Sequence, residues 1–239
     1  MPLIKEDPTK DQFEEFYAKP NPWNADGSFS DYVRQKILNY HFSESRFKQG
    51  IDIACGEGFM TARMEFVENM TGIDISEKAI SRASSAYADI SFLSGDGFKD
   101  KIIDGKFDFV SCFEALYYPS SLKDRKQALA NIYQYGTDEA SFVFSVVTIG
   151  ENEHRKYFTK DEFMNLLTEA GFEVEVVCGF VLGGKKGSSI AIRIFRKVLE
   201  TLMPRSLSES FFAKITMYVS DDFIYQHLFI CKKRELNNL

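Results

Sequence analysis

Three acidic residues fall at repeating places along the first hundred residues: Asp52 inside the apolar run "IDIAC", Asp74 at the close of "TGID", and Asp96 in "LSGDGF". Between the first two lies a G-x-G turn, Gly56 and Gly58. Glycines allow tight turns and close ligand approach, and the amides opening a following helix favour a carboxylate or phosphate. Alone, a G-x-G is as often a plain turn. Here Thr61 stands where a dinucleotide fingerprint carries its third Gly or Ala, and the G-K-S/T of a phosphate loop is missing. Asp52 would repel a phosphate and attract an ammonium or sulfonium, so the expected ligand carries positive charge. Asp74, 18 residues after Gly56, suits the two hydroxyls of a ribose. Asp96 can accept from an adenine amino group, with Ile75 and Phe98 flanking the ring. Any one of these acids reads equally well as a turn or helix-capping carboxylate. Together they favour a nucleoside with a cationic amino-acid tail.

Such groups must be held by regular elements, and the hydropathy pattern supplies them. "GIDIAC" (50–55), "MTGIDI" (70–75), "ISFLSGD" (90–96), "FDFVSCF" (107–113) and "ASFVFSVV" (140–147) read as strands. Between them "GFMTARMEFVE", "SEKAISRASSAYA" opened by Ser76, and "DRKQALANIYQYG" stopped by Gly136 read as helices. This alternation predicts an α/β, Rossmann-like fold, a parallel sheet with helices on both faces, and ligands at the carboxyl ends of its strands.

The 239 residues, 44% apolar and 15% aromatic, fit one domain with insertions. A net charge of -6 points to a small-molecule partner rather than a nucleic acid. The four cysteines, Cys55, Cys112, Cys178 and Cys231, lack C-x-x-C spacing and read as free thiols with no metal, as in a reducing cytoplasm. The N-terminus has no apolar core of signal-peptide type, and no run approaches the roughly 20 apolar residues of a membrane span. A cytoplasmic protein is expected.

From 51 to 113 the chain resembles the class I S-adenosylmethionine-dependent methyltransferases: "IDIACGEGF" is similar to their glycine-rich first motif, "GIDIS" to the acidic second, "SGDGF" to the third and "FDFVSCFEALYY" to the fourth. The resemblance continues through "YFTKDEFMNLLTEAGFEVEVV" (157–177) to "YQHLFICKK" (225–233), similar to the seventh strand. It implies a seven-stranded, mostly parallel sheet with an antiparallel last strand. It also implies S-adenosyl-L-methionine as cofactor, S-adenosyl-L-homocysteine as product, and a cofactor shell drawn from the motifs: Asp52, Ala54, Cys55, Gly56, Gly58, Phe59, Asp74, Ile75, Asp96, Gly97, Phe98 and Phe113. Upstream, "FYAKPNPWNADGSFSDYVRQKIL" (16–38) is similar to the nodulation-type enzymes that N-methylate chitooligosaccharide amines. Their pattern is aspartate-proline-tryptophan, then Ser-x-Tyr-Glu-x-x-Lys. Pro22, Trp23, Ser30, Tyr32 and Lys36 match it, while Asn21 and Val33 replace the two acids.

This N-terminal segment is expected to form a helical lid. Tyr17 and Trp23 can cover a ligand, with cation–π attraction to a sulfonium of about 0.5–2 kcal/mol. Arg34 or Lys36 can pair with the methionine carboxylate, the alternatives being a packing Trp23 and solvated cations. Methyl transfer is an in-line displacement that needs alignment and, for a protonated acceptor, a base. Glu114 is the first candidate for that role, with Tyr117 and Tyr118 lining the transfer path; a helix-start carboxylate is the alternative for Glu114. His154, in "GENEHRKYF", is a second candidate base. His227 reads as structural and His41 as part of a linker.

The chain thus divides into a lid segment (1–45), a core (46–182 with 223–239) and a helical insertion (183–222). Within the insertion, Ile190, Ile194, Val198 and Leu202 repeat every four residues, and Lys185, Lys186, Arg193, Arg196 and Lys197 make the start of a helix over 189–203 basic. It can cap the acceptor pocket, lie peripherally on anionic lipid, or complete the core. The leading functional expectation is methyl transfer to nitrogen or oxygen of a small molecule, a sugar or nucleotide-linked sugar in glycan or natural-product synthesis. Methylation of a protein or nucleic acid, and a cofactor-binding module that transfers nothing, are the alternatives.

Overall fold

Strands appear where the sequence has continuous apolar runs, as a sheet covered on both faces requires. The computed structural model describes residues 8–26, 28–151, 156–182 and 224–234, with the isolated positions 207 and 214. In chain order the elements are α1 (Lys10–Phe16), α2 (Phe29–His41), β1 (Phe47–Ile53), β2 (Val67–Asp74), α3 (Glu77–Ala86), β3 (Ser91–Ser94), β4 (Phe107–Phe113), α4 (Leu122–Tyr135), β5 (Gly136–Val147), β6 (Ile149–Glu151), β7 (Lys156–Thr159), α5 (Lys160–Glu169), β8 (Phe172–Leu182) and β9 (Ile224–Lys233). The main sheet has seven strands in the order β3-β2-β1-β4-β5-β9-β8. β1 to β5 pair in parallel, and β9 runs antiparallel between β5 and β8. The expected α/β Rossmann-like architecture with an antiparallel last strand is therefore present. Strand order reverses at β1 and β4, which opens the crevice where ligands of such sheets sit.

Helices begin where a hydroxyl satisfies the first free amides: Ser28, Ser76, Ser121 and Thr159 each accept from the N3 backbone amide, and Thr9 and Thr159 complete capping boxes with Gln12 and Glu162. One face of the sheet is packed by α4 and α5 through Leu129, Ile132, Phe163 and Leu167 against Val110, Phe142 and Phe144. The other face is packed by α2, whose Val33, Ile37 and Leu38 lie with Met60, Met64, Phe66 and Phe109. His41 belongs to the last turn of α2 and is not in a linker. Among the described residues no helix is long and apolar enough to cross a membrane.

The segment after Gly58 departs from expectation. Instead of a helix it holds one 3-10 turn, Thr61–Arg63, and enters β2 at Val67. Span explains this. The chain must return along the seven-residue β1, roughly 23 Å at about 3.3 Å per residue. After the glycine turn, residues 59–66 remain, and as a helix they would cover only about 12 Å. No long helix therefore stands behind the glycine turn to offer its dipole to an anion.

Candidate active site

β1 ends by turning sharply: Ala54, Gly56 and Gly58 all have positive φ, of 61°, 57° and 76°. The turn is held by its neighbours, since the Cys55 amide donates to the Ile73 carbonyl at 2.9 Å and the Gly58 amide to the Cys55 carbonyl at 3.0 Å. A side chain at Gly56 would place its Cβ 2.8 Å from the Tyr17 hydroxyl, so the turn needs glycine for space as well as for conformation.

The acids stand on adjacent strand ends, as their sequence spacing implies. Asp52, buried in β1, accepts from the hydroxyls of Thr61 and Ser111, each at 2.7 Å. Asp74 accepts from the amides of Gly56 at 2.8 Å and Ser76 at 2.9 Å. Burial pushes both carboxyls up to about 6, with those hydrogen bonds offsetting only part of the desolvation. Asp96, after β3, accepts from the Phe98 amide at 3.1 Å and pairs with the exposed Lys99 at 3.2 Å.

The N-terminal segment closes over this turn. Tyr17 is buried and accepts from the Trp23 indole at 3.1 Å. The Asn21 amide donates to both Glu57 oxygens, at 3.1 and 3.0 Å. Arg82 of α3 then latches the arrangement, pairing with Glu57 at 2.7 Å and donating to the carbonyls of Tyr17 at 2.7 Å and Lys19 at 3.2 Å. Phe13 of α1 sets its ring edge-on to Tyr118, with centroids 5.2 Å apart.

At the end of β4 the chain is again left-handed, Glu114 having φ 52°. Its amide donates to the Ser145 carbonyl at 2.8 Å. Its carboxylate oxygens are buried with no hydrogen-bond partner among the described residues; Ser145 and Gln226 lie beside them, outside ordinary hydrogen-bond geometry. Burial pushes this carboxyl up to about 7, against the attraction of Arg34.

A single cavity of about 750 Å3 joins these features, within the range of small-molecule sites. Of the sequence-derived candidates it is lined by Tyr17, Trp23, Arg34, Asp52, Ala54, Cys55, Gly56, Phe59, Asp74, Ile75, Asp96, Gly97, Phe98, Phe113, Glu114, Tyr117 and Tyr118. Gly58 stands outside the lining, packed where a Cβ would lie 2.6 Å from the Phe92 ring. Arg34 lines the cavity, but its guanidinium is already paired with Asp31 and bonded to Ser145. His154 lies outside the described residues, as does the insertion 183–222 apart from two isolated positions. His227 is buried in β9 with Nδ1 2.6 Å from the Thr148 hydroxyl. All four cysteines are unpaired. Glu57 and Arg82 were not singled out by sequence; Glu57 sits inside the G-E-G turn itself, whereas an arginine midway along α3 gives no signal.

Residues 51–137 match the family of methyltransferase domains. No curated protein matches the sequence. Among solved structures, the N-methyltransferase NodS from Bradyrhizobium japonicum WM9, in complex with S-adenosyl-L-homocysteine, is similar over 95% of this chain and 98% of its own, with 18% identity and a TM-score of 0.65. The 1,6-didemethyltoxoflavin-N1-methyltransferase of Burkholderia thailandensis, with bound 1,6-didemethyltoxoflavin and S-adenosylhomocysteine, is similar over 95% of this chain and 87% of its own, with 16% identity and a TM-score of 0.62. The cyclase SpnF is similar over 96% of this chain and 98% of its own, with 14% identity and a TM-score of 0.65.

Proposed function

We propose that this chain, an S-adenosylmethionine-dependent methyltransferase of class I architecture, transfers the methyl group to a nitrogen or oxygen of a small molecule, a sugar or sugar derivative of glycan or natural-product synthesis. The observation that carries the reading is that three strand-end acids, Asp52, Asp74 and Asp96, line the same cavity as Glu114, whose carboxylate oxygens are buried with no hydrogen-bond partner among the described residues. The residues fit the cofactor. The buried carboxylates of Asp52 and Asp74, neither of them paired with a lysine among the described residues, favour a cation.

When bound, the cofactor supplies a methyl carbon on a sulfonium. In this reading Asp74 accepts from the ribose hydroxyls, Asp96 from the adenine amino group, and Ile75 and Phe98 bracket the ring. Tyr17, Trp23, Phe59 and Phe113 exclude water, with Ala54, Cys55 and Gly97 offering backbone. Glu114 accepts the acceptor's proton, and Tyr117 and Tyr118 align the approach.

A sugar suits the cavity because rings and hydrogen-bonding groups alternate in its lining: Phe13 and Trp23 lie with Asn21, Asp26, Ser28 and Ser30. Pro22, Trp23 and Ser30, shared with the nodulation-type pattern, are among the lining residues. In this reading residues 1–45 act as the lid and 46–182 with 223–239 as the core. Incubating the full chain with S-adenosylmethionine and a panel of free and nucleotide-linked amino sugars tests this by mass spectrometry. One sugar should gain the mass of one CH2, a methyl group replacing a hydrogen, with a stoichiometric amount of S-adenosylhomocysteine formed. Methylation of a non-sugar amine alone would overturn the sugar assignment.

A further inference from the structure

Arg34 reads from sequence as a partner for a ligand carboxylate, yet its surroundings give it another task. It is 3% exposed, and a buried guanidinium cannot shed its charge, so it must be met by partners. Nη2 pairs with Asp31 one turn earlier on α2. Nη1 donates to the Ser145 hydroxyl at 2.7 Å and lies 3.7 Å from Glu114 Oε1. The guanidinium plane is held between the rings of Phe113 and Phe180, at 4.7 and 5.4 Å from their centroids. Nε is buried and without a partner among the described residues.

Ser145 ties the group together. Its hydroxyl accepts from Arg34 while its carbonyl accepts the Glu114 amide at 2.8 Å. The strained left-handed backbone of Glu114 and the cation behind its carboxylate are thus registered by one residue of β5.

We infer that Arg34 is a positioning residue: braced by Asp31 and Ser145, it holds the Glu114 carboxylate facing the cavity and stabilises its negative charge. The inference rests on the reading of Glu114 as the acceptor's base. The groups facing Glu114 are Arg34 and Asp31 from α2, Ser145 from β5, Gln226 from β9 and the buried Cys112 of its own strand. Arg34 is the cation among them. Asp31, while bracing the guanidinium, acts against it on Glu114 by repelling the carboxylate. The two neighbours therefore pull the Glu114 proton in opposite directions, which a purely structural role would not produce.

The test uses the full chain with glutamates 13C-labelled at the carboxyl carbon, bound to S-adenosylhomocysteine, with the Glu114 signal assigned by its loss in Glu114→Gln. Wild-type Glu114 should titrate near neutrality. Arg34→Gln should tighten its proton by tenfold or more, raising the midpoint by at least one pH unit. Arg34→Lys should recover part of the difference, and Asp31→Asn should lower the midpoint below wild type. An unmoved midpoint in Arg34→Gln, or shifts of the same sign in the Arg34→Gln and Asp31→Asn variants, would overturn the inference. Should Arg34→Gln fail to fold, Asp31→Asn decides alone: a lowered midpoint supports the inference and any other result overturns it. Failure of the wild-type chain to bind S-adenosylhomocysteine would instead overturn the reading of the cavity, which keeps the two failures distinct.

Discussion

Asp52 and Asp74, at the ends of β1 and β2, each have both carboxylate oxygens hydrogen-bonded, whereas neither carboxylate oxygen of Glu114, at the end of the neighbouring β4, has a hydrogen-bond partner among the described residues. All three acids stand at one edge of one sheet with their carboxylate oxygens out of solvent, though Glu114 as a residue is only half-buried. The bonded pair is a finished surface, fixed by amides and hydroxyls before any ligand arrives. Glu114 is kept in deficit, on a backbone that a non-glycine residue adopts only at a cost of about 1–3 kcal/mol. A buried acceptor without a donor is where a protein leaves room for a group that comes and goes. In the proposed function the bonded pair serves the end of the cavity that holds the cofactor, and Glu114 the end where the acceptor's proton is taken.

Replacing Glu114 should break the comparison with the largest effect. With the acceptor that the sugar panel identifies, Glu114→Gln should cut turnover by about 10²–10⁴-fold, the range of general base catalysis, while calorimetric affinity for the cofactor stays near wild type. Loss of cofactor binding would move Glu114 into the cofactor shell. At the finished end, Asp74→Ala should leave turnover at saturation less affected and weaken cofactor binding by roughly 1–3 kcal/mol. It removes the partner of the Gly56 amide as well as the proposed ribose contact.

A smaller effect separates turn from lid. Gly56→Ala forces a side chain into φ 57° and against the Tyr17 hydroxyl, at a cost of about 1–2 kcal/mol from the left-handed conformation. Part of that loss should return in a Tyr17→Phe background, read by thermal melting.

The last effect is a slope. Asp52, Asp74 and Glu114 hold their protons more tightly folded than unfolded. From the ordinary carboxylate range up to about 6 for the aspartates and about 7 for Glu114, the folded chain carries the extra protons, so raising the pH through that window removes stability. The melting temperature of the ligand-free protein should fall from pH 5 to pH 8, and Glu114→Gln should flatten the upper part of that fall.

Much of this architecture was legible because a doubly covered strand must be apolar throughout, and "FDFVSCF" reads as β4 residue for residue. The acids at the ends of the first three strands were legible for the same reason, since each interrupts or ends such a run. The segment after Gly58 misled because Met60, Met64 and Phe66 are apolar at near-helical spacing, while the distance back along β1 dictated its conformation. Arg34 was visible as a residue but not as a contact: its partner Ser145 lies 111 positions away. The Glu57–Arg82 latch was hidden in the same way, by a separation of 25 residues and an arginine that resembles any other on a helix surface.

The central claim is that the carboxylate-lined end of the cavity holds the cofactor. Calorimetric titration of the wild-type chain and Asp74→Ala with S-adenosylhomocysteine tests it most directly. The account predicts micromolar binding by the wild type, weakened in Asp74→Ala by roughly 1–3 kcal/mol. Equal affinities, or no binding by either chain, would contradict it and return Asp52, Asp74 and Asp96 to the role of turn-forming residues.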